Sequence, residues 1–188
     1  MSALKQRIAE IISRDGPMPV SLYMLMCLHD PRHGYYATRA GFNRDFTTAP
    51  ETSQVFGELM GVWTGIQWTH MGLPTRLNLI EMGPGRGTMM KDMLRMIRIF
   101  PRLSDALDVT LVEASPLLRE QQKQTLAGHE IRHVGSIDDA PPGPAIIIGN
   151  EFLDCLPIHQ FVRRDGAWRE RQVGMNRSGE LVFGLSPP

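Results

Sequence analysis

Three clusters of residues in this sequence have types and spacings suited to ligand chemistry. The first is Glu81-Met82-Gly83-Pro84-Gly85-Arg86-Gly87-Thr88, where glycines recur at every second position behind an acid. Glycine serves where a chain turns sharply or where a ligand must lie against bare backbone. A helix beginning just beyond such a turn offers free N–H groups. Dinucleotide loops space their glycines as GxGxxG, and here the third glycine falls one residue early. Phosphate loops need a lysine after the last glycine, and none follows. The second cluster centres on Glu113, which closes the apolar run Val109–Glu113 and is placed to accept both hydroxyls of a ribose. Ser136 and Ile137 follow a third apolar run, where they flank a base or simply form a solvent loop. The third cluster is Asn150, Glu151 and Asp154, behind the apolar run 145–149. Carboxylates beside an apolar strand need water or a cationic partner. A guanidinium fits that need, because it stays protonated and accepts a two-point grip from carboxylates. Asp154 reads equally well as the cap of a following helix. His159 is a proton acceptor on one reading and a satisfied core histidine on the simpler one.

The elements that must position these residues follow from periodicity. Leu77–Met82, Val109–Glu113, Ile131–Val134 and Ala145–Gly149 are short apolar runs of the kind that form buried parallel strands. Helical patterns at 87–99 and 116–127 lie between them, which together describe a doubly wound α/β domain. Its ligand edge is where the strands end, and all three clusters fall there. Upstream, Leu4, Ile8, Ile11 and Ile12 share one face of a helix over 2–14, and a second helix is expected over 20–29, ended by Asp30-Pro31. Residues 31–50 read as loop with a short hairpin around Tyr35-Tyr36. Thr48-x-x-Glu51 has capping-box spacing with Pro50 in the first turn, so one long helix is expected from there to about His70. On it Gly57, Gly61 and Gly65 recur every four residues, the mark of a close helix crossing. Downstream, 159–164 and 168–174 form a hairpin about Asp165-Gly166, and 179–184 follows as a further strand. The domains expected are 1–74, a helical cap with a ligand-facing loop, and 75–188, the α/β domain.

Composition narrows the field. The formal net charge is zero across 188 residues. The one basic cluster, Arg163, Arg164, Arg169 and Arg171, is interleaved with Asp165 and Glu170, so no nucleic-acid partner is expected. Cys27 and Cys155 lie far apart without metal-ligand company, which fits free thiols in a reducing compartment and no metal site. No apolar run approaches the ~18 residues of a membrane span. The start of the chain leads into an amphipathic pattern, not a signal-peptide block, and the expected location is cytoplasmic.

The spacing Glu-x-Gly-x-Gly-x-Gly at 81–87 is similar to motif I of class I methyltransferases. Four segments together resemble one family more specifically, the MidA-like methyltransferases. They are His33-Gly34-Tyr35-Tyr36, the run 45–58 that begins Asp45-Phe46-Thr47-Thr48-Ala49-Pro50-Glu51, the loop 81–88, and Asn150-Glu151-Phe152-Leu153-Asp154-Cys155-Leu156-Pro157 with its continuation to Phe161. The resemblance implies a Rossmann-like fold and S-adenosyl-L-methionine as cofactor. It places Glu81 near the ammonium end, Gly83 and Gly85 against the methionine moiety, Gly87 also among the cofactor-binding residues, and Glu113 on the ribose. Asp45, Thr47, Pro50, Glu51 and Gln54 would line the roof of the pocket. It further implies arginine N-methylation linked to assembly of respiratory complex I, so the partner expected is a protein bearing the target arginine, a respiratory-complex subunit among them. Self-association as a homodimer is also compatible with the sequence.

Two departures from the family pattern stand out. Arg44 occupies the place of a glycine before Asp45-Phe46, and family members run to roughly twice this length. The chain stops straight after an alternating apolar segment, so the expectation is a domain truncated at its C-terminus. An incomplete sheet leaves an unpaired edge, which motivates the alternative of a non-catalytic assembly module retaining the fold. A third reading, a nicotinamide-dependent oxidoreductase, shares the ribose carboxylate but not the glycine spacing.

Overall fold

The computed structural model describes residues 2–38 and 47–188. In chain order its elements are α1 (Ala3–Asp15), β1 (Met18–Pro19), α2 (Val20–His29), α3 (Tyr35–Thr38), α4 (Ala49–Thr52), α5 (Gln54–His70), β2 (Leu77–Met82) and α6 (Thr88–Ile97). They continue with α7 (Pro101–Ala106), β3 (Leu107–Val112), α8 (Pro116–Thr125), β4 (Ile131–Val134), β5 (Ala145–Ile148), β6 (Phe161–Arg164), β7 (Ala167–Met175) and β8 (Leu181–Leu185). Contacts between residues gather these elements into two units, one holding residues up to 38 together with 153–188, the other 47–152.

The larger unit is built on a parallel sheet of order β4-β3-β2-β5. β2 pairs β3 from Leu77↔Leu107 to Met82↔Val112 and pairs β5 from Asn78↔Ala145 to Glu81↔Ile148. The chain winds outward from β2 through β3 to β4, then returns across β2 to β5. That reversal puts a switch point at the carboxyl end of β2, where open α/β sheets hold ligands. Leu77, Leu79, Val109, Leu111, Ile146 and Ile148 form the sheet side of the core. Met89, Met90, Met93, Leu94 and Ile97 of α6 and Trp68 of α5 cover it. The Rossmann-like α/β architecture expected from the strand pattern is present.

Helix α5 lies against α6 more closely than side chains allow. A Cβ on Gly57 would stand 2.7 Å from Asp92 Cβ, one on Gly61 2.6 Å from the Met93 carbonyl, and one on Gly65 2.4 Å from the Phe100 ring. The four-residue glycine spacing is therefore a packing device, as expected. It also explains why the boundary anticipated at residue 74 falls elsewhere. α5 belongs to the sheet unit because its glycine face is committed to α6.

The smaller unit joins both ends of the chain. Met18 and Pro19 pair antiparallel with Val173 and Gln172 of β7, while β7 also pairs β6 and β8. Ile8 and Ile12 of α1, one turn apart, share a core with Met18, Val20, Met26 and Val173. Ser2 caps α1 by accepting from the Lys5 amide, and Gly16 at φ +86° ends it. The hairpin turn at Asp165 and Gly166 has both residues at positive φ, +52° and +79°, which matches the right-handed twist of its strands.

Two local expectations are corrected. Tyr35 and Tyr36 begin the short helix α3 and form no hairpin. The single long helix from Thr48 is broken at Ser53, whose extended backbone (φ −152°, ψ 127°) separates α4 from α5. The Thr48 side chain makes no cap hydrogen bond at the start of α4, and Ser53 caps the long helix α5 by accepting from the Val55 amide.

Candidate active site

The site begins where β2 runs out. Leu77, Leu79 and Glu81 share one face of the strand by its period of two, so an acid continues a line of core leucines. Glu81 is 3% exposed. Its neighbours across the sheet are Leu111 and Ile148. Its Oε2 has no hydrogen-bond partner among the described residues. Burial alone pushes the carboxyl up to about 8, since ionisation there costs solvation that nothing replaces.

Beyond Met82 the backbone alternates. Gly83, Gly85 and Gly87 all take positive φ, at +61°, +55° and +83°, a conformation that only glycine adopts without strain. The Gly83 amide extends the ladder to the Val112 carbonyl at 3.1 Å, and the Gly87 amide closes the turn onto the Pro84 carbonyl at 2.8 Å. Gly87 stands at the N-cap of α6 with no side chain to cover the helix end. A Cβ on Gly83 would lie 2.6 Å from the Phe152 ring, so this bare carbon makes room for Phe152.

Glu113 lies one residue past β3 and is bound into the start of α8. Its Oε1 accepts from the Ser115 amide at 2.8 Å, and Arg119 donates to its backbone carbonyl at 2.6 Å. Gln122, fully buried on α8, donates through Nε2 to the Gly85 carbonyl at 2.7 Å and approaches Glu113 Oε2 at 3.5 Å. One amide thus ties the ribose-type carboxylate to the glycine loop. Burial raises the Glu113 carboxyl above its ordinary value, against hydrogen bonds that pull it down. Sequence reading missed Gln122; the only signal was a polar residue on the inward face of an expected helix.

Glu51 also reaches this loop. Its Oε1 accepts from Thr88 Oγ1 at 2.8 Å, and its Oε2 lies 3.8 Å from Arg86 Nη1. The residue assigned to a capping box instead clamps the start of α6. Pro50 is buried in the first turn of α4, Thr47 is exposed beside it, and Gln54 is exposed with its amide 3.5 Å from Glu58. Asp45 lies outside the described residues. Ser136 caps the short turn Ile137–Asp139 through the Asp138 amide, and Ile137 is half-buried after β4.

After β5 come Asn150, half-buried, and Glu151, exposed and at φ +52°. A left-handed backbone is uncommon for a glutamate and is held only where surroundings impose it. Asp154 falls in the other unit, exposed on the turn Leu153–Cys155. Within that unit it lies beside an aromatic group that the sequence gave no role. His29 stacks on Tyr36 at 5.6 Å and bonds the Cys155 carbonyl at 2.9 Å, and Tyr35 packs edge-on to Tyr36 at 5.2 Å. Burial raises the Tyr36 hydroxyl first, with Cys155 and Asp154 adding to it. His159 is not a core residue; its ring is exposed and paired with Glu170. Cys27 and Cys155 are half-buried and not joined in a disulfide.

Residues 59–188 match a family model described as "Putative S-adenosyl-L-methionine-dependent methyltransferase". The chain belongs to this family. Among curated relatives, the protein arginine methyltransferase NDUFAF7 of Xenopus tropicalis is 38% identical over 99% of this chain and 50% of its own length. The human protein of that name is 36% identical over 94% of this chain and 46% of its own. The chain therefore spans about half the length of the curated relatives it matches. A COG1565 superfamily protein of Burkholderia thailandensis, crystallised with S-adenosyl-homocysteine, superposes with TM-score 0.80 at 28% identity over 99% of this chain and 50% of that one. The curated relatives carry mitochondrial names, which overturns the cytoplasmic expectation.

Proposed function

We propose that this chain holds S-adenosyl-L-methionine at the carboxyl edge of β2 and β3 and contributes to methylation of a protein arginine. The observation that carries the reading is the joined set Gly85–Gln122–Glu113 beside the unpartnered Glu81. It offers bare backbone, a ribose acceptor and a buried acid with unspent bonding capacity, which suits a nucleoside bearing a cationic amino-acid tail. The neighbour's S-adenosyl-homocysteine and the relatives' names support the same chemistry.

When bound, the sulfonium supplies the methyl group by direct displacement, so the protein's work is alignment. Glu113 would hold the ribose diol, and Gly85 and Gly87 would give the amino-acid tail access to backbone. Ser136 and Ile137 would flank the adenine, with Thr47, Pro50 and Gln54 on the other side. Asn150 and Glu151 would grip the guanidinium; its charge is permanent, so a carboxylate orients it without needing to deprotonate it first. The strained backbone of Glu151 is consistent with a residue positioned for contact. The family resemblance extends the reading to a respiratory-complex subunit as acceptor, assembly of that complex as outcome, and a homodimer as working form.

A second reading has its own observation. β5 is an edge of the parallel sheet among the described residues, and its Ile147 is 56% exposed. An open apolar edge suits a strand from a partner, as an assembly module would use. Transfer of tritium from methyl-labelled S-adenosylmethionine into mitochondrial extract, followed by acid hydrolysis, tests the two. Label in methylarginine supports the enzyme; cofactor binding without label in any residue supports the module.

A further inference from the structure

Glu81 is buried at this edge, and its Oε2 has no hydrogen-bond partner among the described residues. Its face of β2 is otherwise leucine, and its cross-strand neighbours are Leu111 and Ile148. Several charged groups on the neighbouring elements have partners of their own among the described residues. Arg86 lies by Glu51 on the loop side, and Arg95 of α6 is shared between Asp92 and Glu58. Glu113 is held by Ser115 and Gln122, and Glu151 is exposed beyond β5. None of them moves the Glu81 carboxyl, whose upward displacement has burial as its cause. No described cation pairs with that carboxylate, and burying an unpaired anion is costly.

We propose that Glu81 keeps its proton in the ligand-free protein and releases it to solvent when the ligand's ammonium group arrives, so that cofactor binding is coupled to loss of one proton. The inference rests on the cofactor reading above and adds to it a protonation state. Glu81 then acts as a specificity element. A neutral acid does not hold stray cations, yet it becomes the counter-ion of a ligand whose other end is already seated on Gly85 and Glu113.

Calorimetric titration of the 188-residue chain with S-adenosyl-homocysteine, near pH 6.5 in buffers of low and high ionisation enthalpy, counts the protons. S-adenosyl-homocysteine carries the ammonium without the sulfonium. The expected result is close to one proton released per ligand, with affinity rising about tenfold from pH 6 to pH 7. In Glu81→Gln both the buffer dependence and the pH dependence disappear. Binding heats equal in all buffers, with a flat affinity, would overturn the proposal while leaving the cofactor site intact. No binding at all would strike the cofactor reading itself. The Glu81 carboxyl carbon, followed by NMR in ligand-free protein, then decides separately: a midpoint near 8 upholds the retained proton, and one near 4 refutes it.

Discussion

β2 and β3 are neighbours in register, and each brings a glutamate to the same edge of the sheet, Glu81 on one and Glu113 just past the other. Burial raises both carboxyls. Glu113 has the Ser115 amide, the Gln122 amide and an arginine on its own backbone carbonyl. Glu81 has apolar neighbours and a bare Oε2. A partnered carboxylate is part of the framework and holds its orientation before any ligand comes. An unpartnered one weakens the framework, and its presence makes physical sense only if something outside the fold completes it. The contrast separates residues that build this edge from residues that wait at it.

The largest effect that bears on this contrast is expected at Gly85, which sits between them at φ +55° with its carbonyl on Gln122. Gly85→Val forces a branched side chain into a left-handed backbone and should weaken S-adenosyl-homocysteine binding by about 100-fold or more, ~2.7 kcal/mol, measured by calorimetry. Affinity within a fewfold of the native chain would remove the loop from the site.

The same substitution at both carboxylates should give opposite signs. Glu81→Leu places an apolar side chain among Leu79, Leu111 and Ile148 and should stabilise the ligand-free protein by ~2 kcal/mol at pH 7 in chemical denaturation. The pH dependence follows from the displaced carboxyl. Between 4.5, its ordinary value, and about 8, the unfolded chain has lost the proton and the folded one retains it. Native stability therefore falls as pH rises through that window, and Glu81→Leu should lack this decline. Glu113→Leu strands the Ser115 amide and should cost about 1–2 kcal/mol. Equal signs at the two positions would dissolve the distinction between them.

The smallest effect concerns the clamp from α4. Glu51→Gln keeps an acceptor for Thr88 but gives up the charge facing Arg86 at 3.8 Å. A partly exposed pair of this kind contributes less than about 1 kcal/mol, so a loss beyond that would mean the roof segment is structurally coupled to the loop more tightly than its contacts indicate.

Much of this edge was legible in the sequence because parallel strands buried on both faces read as short apolar runs, and the turn between β2 and α6 requires glycine. What stayed hidden depends on long-range partners. Thr48 and Glu51 have capping-box spacing, yet Glu51 bonds Thr88, 37 positions away, and spacing alone cannot see that competitor. Gly83 was legible as a turn but not as a seat for Phe152. Gln122 joins Gly85 to Glu113 only once α8 has docked. The unit boundary eluded periodicity because a two-residue strand, Met18–Pro19, recruits the far end of the chain through β7. Tyr35 and Tyr36 were visible as part of a motif without a task, and the stacking of His29 on Tyr36 was not visible at all.

Amide chemical shifts of the 15N-labelled chain, recorded with and without S-adenosyl-homocysteine, test the central claim most directly. The account predicts saturable changes concentrated at Gly83, Gly85, Gly87 and Thr88 and at Glu113 to Ser115. Unchanged spectra at millimolar ligand, or changes gathered on β6 to β8 with the glycine loop silent, would contradict it.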